Sequence, residues 1–197
     1  SMHVAIGCSY TAGMGLHTTQ AYPHLMDYEN LSRPGCDIEY CLWRAHQAVE
    51  YGATRILFQL TSWDRITLSR EGRDNFVKNT SWSRPPRFEH YTVADYVASE
   101  PDSHIRWIYD EHVMSNWRTE NLAQRLVEFR TWAAWNECEV VYYDWLQRHK
   151  GTIMHPKLKE LLPAKSVLDW LGQDHYLDKY YHVNAQGHKL IAEGYFD

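Results

Sequence analysis

Three short apolar runs, each about as long as one β-strand, recur along the chain. They are "MHVAIG" near the start, "TRILFQLT" from Thr54 to Thr61, and "CEVVYYD" from Cys138 to Asp144. The middle run is almost unbroken, which is typical of a strand that is buried on both faces of a sheet. Such strands occur mainly in parallel sheets that are covered by helices, so the segments between the runs are expected to supply the helices.

Apolar residues at helical spacing are present in those intervening segments. "IEYCLWRAHQAVEY", residues 38–51, carries a stripe at spacings of three and four, and Gly52 ends it. A longer helix is predicted from about Trp117 to Asn136. A short helix is predicted at "AKSVLDWL", and "NAQGHKLIAEGYF" predicts a last helix that begins after the N-cap residue Asn184.

This order of elements predicts one α/β domain over residues 1–197, a three-layer α/β/α sandwich with a mostly parallel central sheet. Residues 66 to about 113 interrupt the pattern, because they are rich in charged and aromatic residues and have no clean period. We expect irregular structure there, as an insertion or lid. Its aromatic side chains could contact a substrate or fill a small satellite core; they are Trp82, Phe88, Tyr91, Tyr96 and Trp107.

Charge and apolar content argue against two classes of function. A net charge of −5 provides no basic surface for phosphate groups, so nucleic acid is not expected as a partner. No apolar run approaches the roughly 20 residues that a membrane-spanning helix needs, and the first residues lack the layout of a signal peptide. No membrane span is therefore expected.

The cysteines show no CxxC spacing, which argues against a zinc knuckle and a disulfide scaffold. All four lie within or beside apolar stretches: Cys8, Cys36, Cys41 and Cys138. We expect them to be reduced thiols of the core, in a cytoplasmic protein.

A serine stands at the position where a parallel sheet places its ligands. Ser9 directly follows the first predicted strand, and ligands of such sheets bind at the carboxyl ends of the strands. A serine nucleophile needs a base, a carboxylate that orients the base, and donors for the oxyanion. Near the end of the chain, "DHYLDKYYHVNAQGHKLIAEG" supplies His182 and, four residues earlier, Asp178. The alternatives are that Ser9 is only a helix N-cap and His182 only a hydrogen-bonded surface residue.

Four segments resemble, in order, the sequence blocks of the SGNH, or GDSL-type, hydrolase superfamily. They are "GCSYTAG", "NLSRPGCD", "LFQLTSWDR" and "DKYYHVNAQGHKLIAE". Each block alone is weak evidence for the superfamily, but the order and spacing of the four blocks agree with its pattern over nearly the whole chain outside residues 66–113. The resemblance implies the flavodoxin-like fold of these hydrolases and a reaction that needs neither a metal nor an organic cofactor.

The resemblance also implies a role for each matching residue. Ser9 would be the nucleophile, His182 the general base and then acid, and Asp178 the carboxylate that orients the imidazole. The backbone N–H groups of Ser9 and Gly35 would stabilise the oxyanion.

The sequence departs from the pattern of the superfamily in three places. Cys8 stands where the first block usually has aspartate. Asp178 and His182 are one residue further apart than is commonest, so Asp174 is an alternative partner for the imidazole.

The third departure concerns the oxyanion. Trp63 stands where the third block has the asparagine that donates to it. Thr61, Ser62 or the indole N–H of Trp63 could replace that donor. Asp64 and Arg65, which follow, could bind a polar substrate or form a surface ion pair.

The function predicted from these residues is hydrolysis of an ester with a small acyl group, such as an acetyl group on a carbohydrate. The substrate would be a small-molecule or glycan ester. An acyltransferase would use the same residues with a hydroxyl acceptor in place of water. A slow or non-catalytic binding module is the competing class, favoured by Trp63 and by the insertion. A metal site at His175, His182 and His188 is not favoured, since their spacing lacks the i, i+4 pairing of helical ligands.

Overall fold

The computed structural model describes residues 2–69, 88–91, 107–113, 115–146, 156–172 and 176–197. The strands in this part of the chain are β1 (Met2–Ile6), β2 (Glu29–Asn30), β3 (Ala53–Leu60), β4 (Ile66–Ser69), β5 (Phe88–Tyr91) and β6 (Glu139–Asp144). Four of them form a parallel sheet in the order β2-β1-β3-β6. All three predicted strands belong to this sheet.

The helices of the described residues lie where helical spacing predicted them, together with short helices that the sequence did not indicate. The α-helices are α1 (Ser9–Ala12), α2 (Tyr22–Leu25), α3 (Ile38–Glu50), α4 (Asn116–Trp135), α5 (Pro156–Leu161), α6 (Val167–Leu171) and α7 (Ala185–Leu190). There are also a 3-10 helix (Thr18–Gln20) and two π-helical segments (Tyr109–Val113 and Ile191–Tyr195), of which the second continues α7. The side-chain carbonyl of Asn184 caps α7 by accepting a 2.9 Å hydrogen bond from the N–H of Gly187, as predicted.

Alternate residues of the central strands face two separate cores. Val4 of β1 and Phe58 of β3 pack in one core with the apolar faces of α3 and α4. Ala5 and Leu57, their neighbours in sequence, pack in the other core with residues of α2, α6 and the π-helical segment that follows α7. Helices therefore cover both faces of a parallel sheet, and the predicted three-layer α/β/α sandwich is confirmed.

The segment from 66 to 113 contains more regular structure than its composition suggested. β4 and β5 pair as an antiparallel ladder, so the expectation of irregular structure is wrong for these two stretches. Ile66 and Val113 form a small satellite core, and Phe88 packs edge to face against Tyr40, with ring centroids 5.0 Å apart. Trp107 is exposed. Residues 70–87 and 92–106, with Trp82 and Tyr96, lie outside the described residues, and the lid remains a prediction.

All four cysteines are buried and none forms a disulfide, as their apolar surroundings predicted. The nearest pair, Cys36 and Cys41, has its sulfur atoms 3.5 Å apart. Among the helices that the structure describes, none has the length and apolar composition needed to cross a bilayer.

A buried histidine joins the last helix to α2. His188 is 1% exposed, and its Nδ1 accepts a 3.0 Å hydrogen bond from the backbone N–H of Tyr22. The predicted packing or capping role of His188 is confirmed. Burial lowers the pKa of His188 from 6.5 to about 4, because the charged imidazolium loses its hydration.

This lowered pKa predicts a loss of stability in mild acid. Between pH 6.5 and 4 the unfolded chain binds a proton at His188 that the folded chain excludes, so the free energy of unfolding falls as pH falls. From pH 7 to pH 5 the loss due to this group is about 2 kcal/mol. His188→Gln should be less stable at pH 7 but should lose about that much less on acidification. Urea unfolding followed by circular dichroism at pH 7, 6 and 5 measures the difference, and parallel pH profiles for the two proteins would contradict it.

Candidate active site

The first helix places Ser9 at the carboxyl edge of the sheet. β1 ends at Ile6, Gly7 and Cys8 form the turn, and Ser9 is the first residue of α1. Cys8 occupies the N-cap position and makes no side-chain cap hydrogen bond. The alternative that Ser9 is an N-cap is therefore wrong, and its hydroxyl is free to contact another part of the chain.

That contact is with the predicted histidine, 173 positions away in the sequence. The Nε2 of His182 lies 3.0 Å from Ser9 Oγ, and its Nδ1 lies 3.2 Å from Asp178 Oδ2. The structure thus brings the three predicted residues into one line of hydrogen bonds. Asp174, the alternative carboxylate, lies outside the described residues.

The Asp178 carboxylate also shapes the turn that carries the imidazole. Its Oδ1 accepts hydrogen bonds from the backbone N–H groups of Tyr180, at 2.8 Å, and His182, at 2.9 Å. Desolvation acts in the opposite direction, but these bonds and the imidazole together lower the pKa of Asp178 below its usual 3.8. The carboxylate is therefore ionised at neutral pH, as an orienting group must be.

Two aromatic side chains, Trp145 and Tyr10, hold the same turn against α1. Tyr181, the residue before the histidine, has φ of 67°, a left-handed conformation that needs support from its surroundings. The indole N–H of Trp145 donates a 3.1 Å hydrogen bond to the carbonyl of Tyr181. Tyr10 stacks on Trp145 with centroids 5.2 Å apart, and its hydroxyl donates to the carbonyl of Tyr180. Sequence reasoning missed Trp145; its position directly after β6 was the available signal.

Beneath α1, the buried side-chain amide of Gln59 supports the turn of the first block. Gln59 Oε1 accepts hydrogen bonds from Thr11 Oγ1 at 2.6 Å and from the N–H of Cys8 at 3.3 Å, while its Nε2 lies 3.1 Å from the Cys8 sulfur. A Cβ on Gly7 would lie 2.5 Å from Gln59 Oε1, so the close approach requires glycine. Tyr143 extends the network through its hydroxyl, 3.0 Å from Thr11 Oγ1. Cys8 is thus a structural part of the turn.

The predicted oxyanion donors lie on adjoining loops. The carbonyl of Gly7 accepts hydrogen bonds from the N–H of Arg33 at 3.0 Å and from the thiol of Cys36 at 3.2 Å, which joins the first block to the second. Gly35 has φ of 76°, which favours glycine. Within the described residues, no group accepts a hydrogen bond from the backbone N–H of Ser9 or Gly35.

Trp63 of the third block does not lie in a position that identifies it as a hydrogen-bond donor to the oxyanion. The Trp63 ring packs against the core between the sheet and α3. Ser62 is half-buried, and the hydroxyl of Thr61 is buried without a hydrogen-bond partner in the described part of the chain. The donor roles of Ser62 and Trp63 remain predictions. Asp64 and Arg65 do not form the ion pair that was one alternative for them.

A buried arginine holds the third block in position. Arg118 of α4 is 3% exposed, and its guanidinium donates to the carbonyls of Trp63, at 2.6 Å, and Arg65, at 3.0 Å. It also lies 3.7 Å from the carboxylate of Asp37, the N-cap of α3. Burial raises the pKa of Asp37, although backbone N–H groups of Tyr40 and Thr67 donate to it. Sequence reasoning missed Arg118, because arginines on helices usually face solvent.

Comparisons with known proteins support the fold that this site occupies. No protein-family model and no curated protein matched the chain. Among solved structures, it is similar to TesA, with 14% identity and a TM-score of 0.54 over 98% of this chain and 94% of that one. It is similar to the psychrotrophic esterase EstA from Pseudoalteromonas sp., with 12% identity and a TM-score of 0.57 over 100% of this chain and 96% of the other.

A third similar structure is a lipolytic protein of the G-D-S-L family from Desulfitobacterium hafniense DCB-2. The identity is 12% and the TM-score is 0.51, over 98% of this chain and 95% of that one. The chain has the fold of the SGNH, or GDSL-type, hydrolases, as the four sequence blocks predicted.

The pairing of Arg118 with Asp37 predicts a large effect on stability. Arg118→Met leaves the Asp37 carboxylate buried without its cation, so the free energy of unfolding should fall by about 3–5 kcal/mol. Adding Asp37→Asn, which removes the charge but keeps an N-cap, should recover part of that loss. Urea unfolding measures both variants.

Arg125→Met is the matched control on the same helix. Arg125 is 42% exposed and lies 3.7 Å from Glu39, so its loss should cost less than about 1 kcal/mol. Equal losses for Arg118→Met and Arg125→Met would show that the buried arginine has no special role.

Proposed function

We propose that the protein is a serine esterase that uses Ser9, His182 and Asp178. The observation that carries the proposal is the line of hydrogen bonds from Ser9 Oγ to His182 Nε2, 3.0 Å, and from His182 Nδ1 to Asp178 Oδ2, 3.2 Å. Hydroxyl, imidazole and carboxylate in this order are the parts that nucleophilic catalysis by serine needs. They come from opposite ends of the chain and meet at the carboxyl edge of the sheet.

The first half of the reaction acylates the serine. His182 Nε2 accepts the proton of Ser9 as Oγ attacks the ester carbonyl, and the Asp178 carboxylate stabilises the imidazolium that forms. The oxyanion of the tetrahedral intermediate faces the backbone N–H groups of Ser9 and Gly35. When the intermediate collapses, the bond to the alcohol oxygen breaks and His182 gives that oxygen its proton.

The second half of the reaction returns the enzyme to its resting state. A water molecule attacks the acyl group on Ser9, and His182 accepts a proton from that water. Collapse of the second intermediate releases a carboxylic acid and returns the proton to Ser9. No step requires a metal or an organic cofactor.

A small acyl group on a carbohydrate is the substrate class that we propose. The turn bearing the histidine exposes two large aromatic side chains, with Tyr180 at 60% and Tyr181 at 52% of their surface. Exposed aromatic rings beside a reactive centre suit stacking on a sugar ring. Two of the similar structures have names that agree with ester chemistry in this fold. They are EstA, an esterase inhibited by monoethylphosphonate in its structure, and the G-D-S-L lipolytic protein.

Hydrolysis of a short ester tests the proposal. With p-nitrophenyl acetate, and with an acetylated saccharide as second substrate, the wild-type protein should turn over, whereas Ser9→Ala and His182→Ala should lose at least about 10³-fold in kcat, because each removes a reacting group. His24→Ala, at an exposed histidine on α2, is the control and should keep full activity. Full turnover by Ser9→Ala would contradict the proposal.

A second experiment decides between the two candidate carboxylates. Asp178→Asn should lower kcat by about 10²–10⁴, since a neutral amide does not stabilise the imidazolium. Asp174→Asn should leave kcat within about twofold of wild type. The reverse pattern in the same ester assay would assign the role to Asp174.

A further inference from the structure

One cation in the site has no part in the reaction described so far. Arg65 is the last residue before β4, and Arg118 holds its backbone carbonyl through a 3.0 Å hydrogen bond. The Arg65 side chain reaches the second block, where Nη1 lies 3.5 Å from the carbonyl of Cys36. That distance is at the outer limit for a hydrogen bond, and the side chain also hydrogen-bonds to Cys8. A guanidinium has five N–H groups, so these two neutral acceptors leave donors for another acceptor.

The neighbours of the guanidinium flank both predicted oxyanion donors. Its charge acts on Cys8 and Tyr10, the residues on either side of Ser9, and on Cys36, the residue after Gly35. Burial and then the positive charges of Arg33 and Arg65 lower the pKa of His90.

His90 in turn lies against the oxyanion loop. Its Cβ would be 3.4 Å from a Cβ built on Gly35. The side chain of Arg65 therefore lies beside Cys36, which follows Gly35, and close to Cys8 and Tyr10, which flank Ser9.

The charge of Arg65 has no anionic partner within the described residues. No carboxylate there forms an ion pair with it, including that of Asp64, its neighbour in sequence. A half-buried guanidinium without a counter-ion is unfavourable, and it becomes favourable when a negative charge forms beside it. In the proposed reaction that negative charge is the oxyanion.

The third block also lacks its usual donor. An asparagine amide is absent at position 63, and the Trp63 ring, which is partly buried, packs against the core. Arg118 binds the backbone carbonyls of both Trp63 and Arg65 and so fixes the loop from which the Arg65 side chain reaches Cys36 of the second block.

We propose that Arg65 is the third oxyanion donor of this active site, in place of the missing asparagine. Its guanidinium stays protonated throughout and hydrogen-bonds to the carbonyl oxygen as negative charge develops there; no proton or electron pair passes to or from it. This inference rests on the proposed esterase function and adds a residue to it.

Kinetics of Arg65→Gln and Arg65→Lys on the neutral substrate p-nitrophenyl acetate test the inference. Arg65→Gln should lower kcat by about 10²–10³-fold and leave KM within about threefold, because the donor acts in the transition state. The kcat of Arg65→Lys should lie between those of the wild-type protein and Arg65→Gln, since lysine keeps the charge but not the planar donor geometry. Inhibition by phenylboronic acid, which forms a tetrahedral adduct with serine, should weaken in proportion to kcat/KM.

Arg125→Gln removes an exposed guanidinium and is the control. It should leave kcat, KM and the inhibition constant of phenylboronic acid unchanged. Thermal unfolding of every variant checks the fold, and should Arg65→Gln not fold, the kcat loss of Arg65→Lys decides the question. The inference would be overturned if the Arg65 variants had a normal kcat and a raised KM only for a carboxylate-bearing ester such as p-nitrophenyl hemisuccinate. That result would assign Arg65 to substrate binding. Full activity of Ser9→Ala would instead overturn the esterase function itself.

Discussion

The parallel pairing of β1 with β3 brings Ser9 and the third-block loop to one edge of the sheet. Val4 pairs with Ile56 and Ile6 with Phe58, and all four side chains are buried. Because the strands are parallel, the segments that follow β1, β3 and β6 leave the sheet at one edge. Those segments carry Ser9, the loop of Trp63 and Arg65, and Trp145, so one sheet edge assembles residues that are far apart in sequence.

Two arginines at this edge have different physical roles. Arg118 is fully enclosed and satisfied by carbonyls and the Asp37 carboxylate, which makes it a fixed support for the third-block loop. Arg65 is less enclosed, contacts only neutral acceptors at Cys8 and Cys36 among the described residues, and has no carboxylate partner there, which suits it to a ligand charge that forms during reaction. The low dielectric of the site that makes Arg118 costly to remove would also strengthen the effect of Arg65 on an oxyanion.

Local patterns predicted most of the fold, and tertiary contacts account for what they missed. β3 is an almost unbroken apolar run and α3 carries an apolar stripe at helical spacing. Both are local signals, so their bounds were predicted to within one or two positions. The pair β4 and β5 was missed, since its strands are separated in sequence and one follows a Pro-Pro dipeptide. The roles of Ser9, His182 and Asp178 were predicted because four sequence blocks occur in the order typical of the SGNH hydrolases. Trp145 and Arg118 carry no motif, and their roles exist only in contacts with other segments.

Covalent labelling shows whether Ser9 is an activated nucleophile. The wild-type protein would be treated with a fluorophosphonate, digested and mapped by mass spectrometry, beside His182→Ala. We expect stoichiometric phosphonylation of the peptide that contains Ser9, and much slower labelling of that peptide in His182→Ala. An unmodified Ser9 in a folded wild-type protein, after prolonged exposure to excess reagent, would contradict it and would favour a binding module on this hydrolase fold.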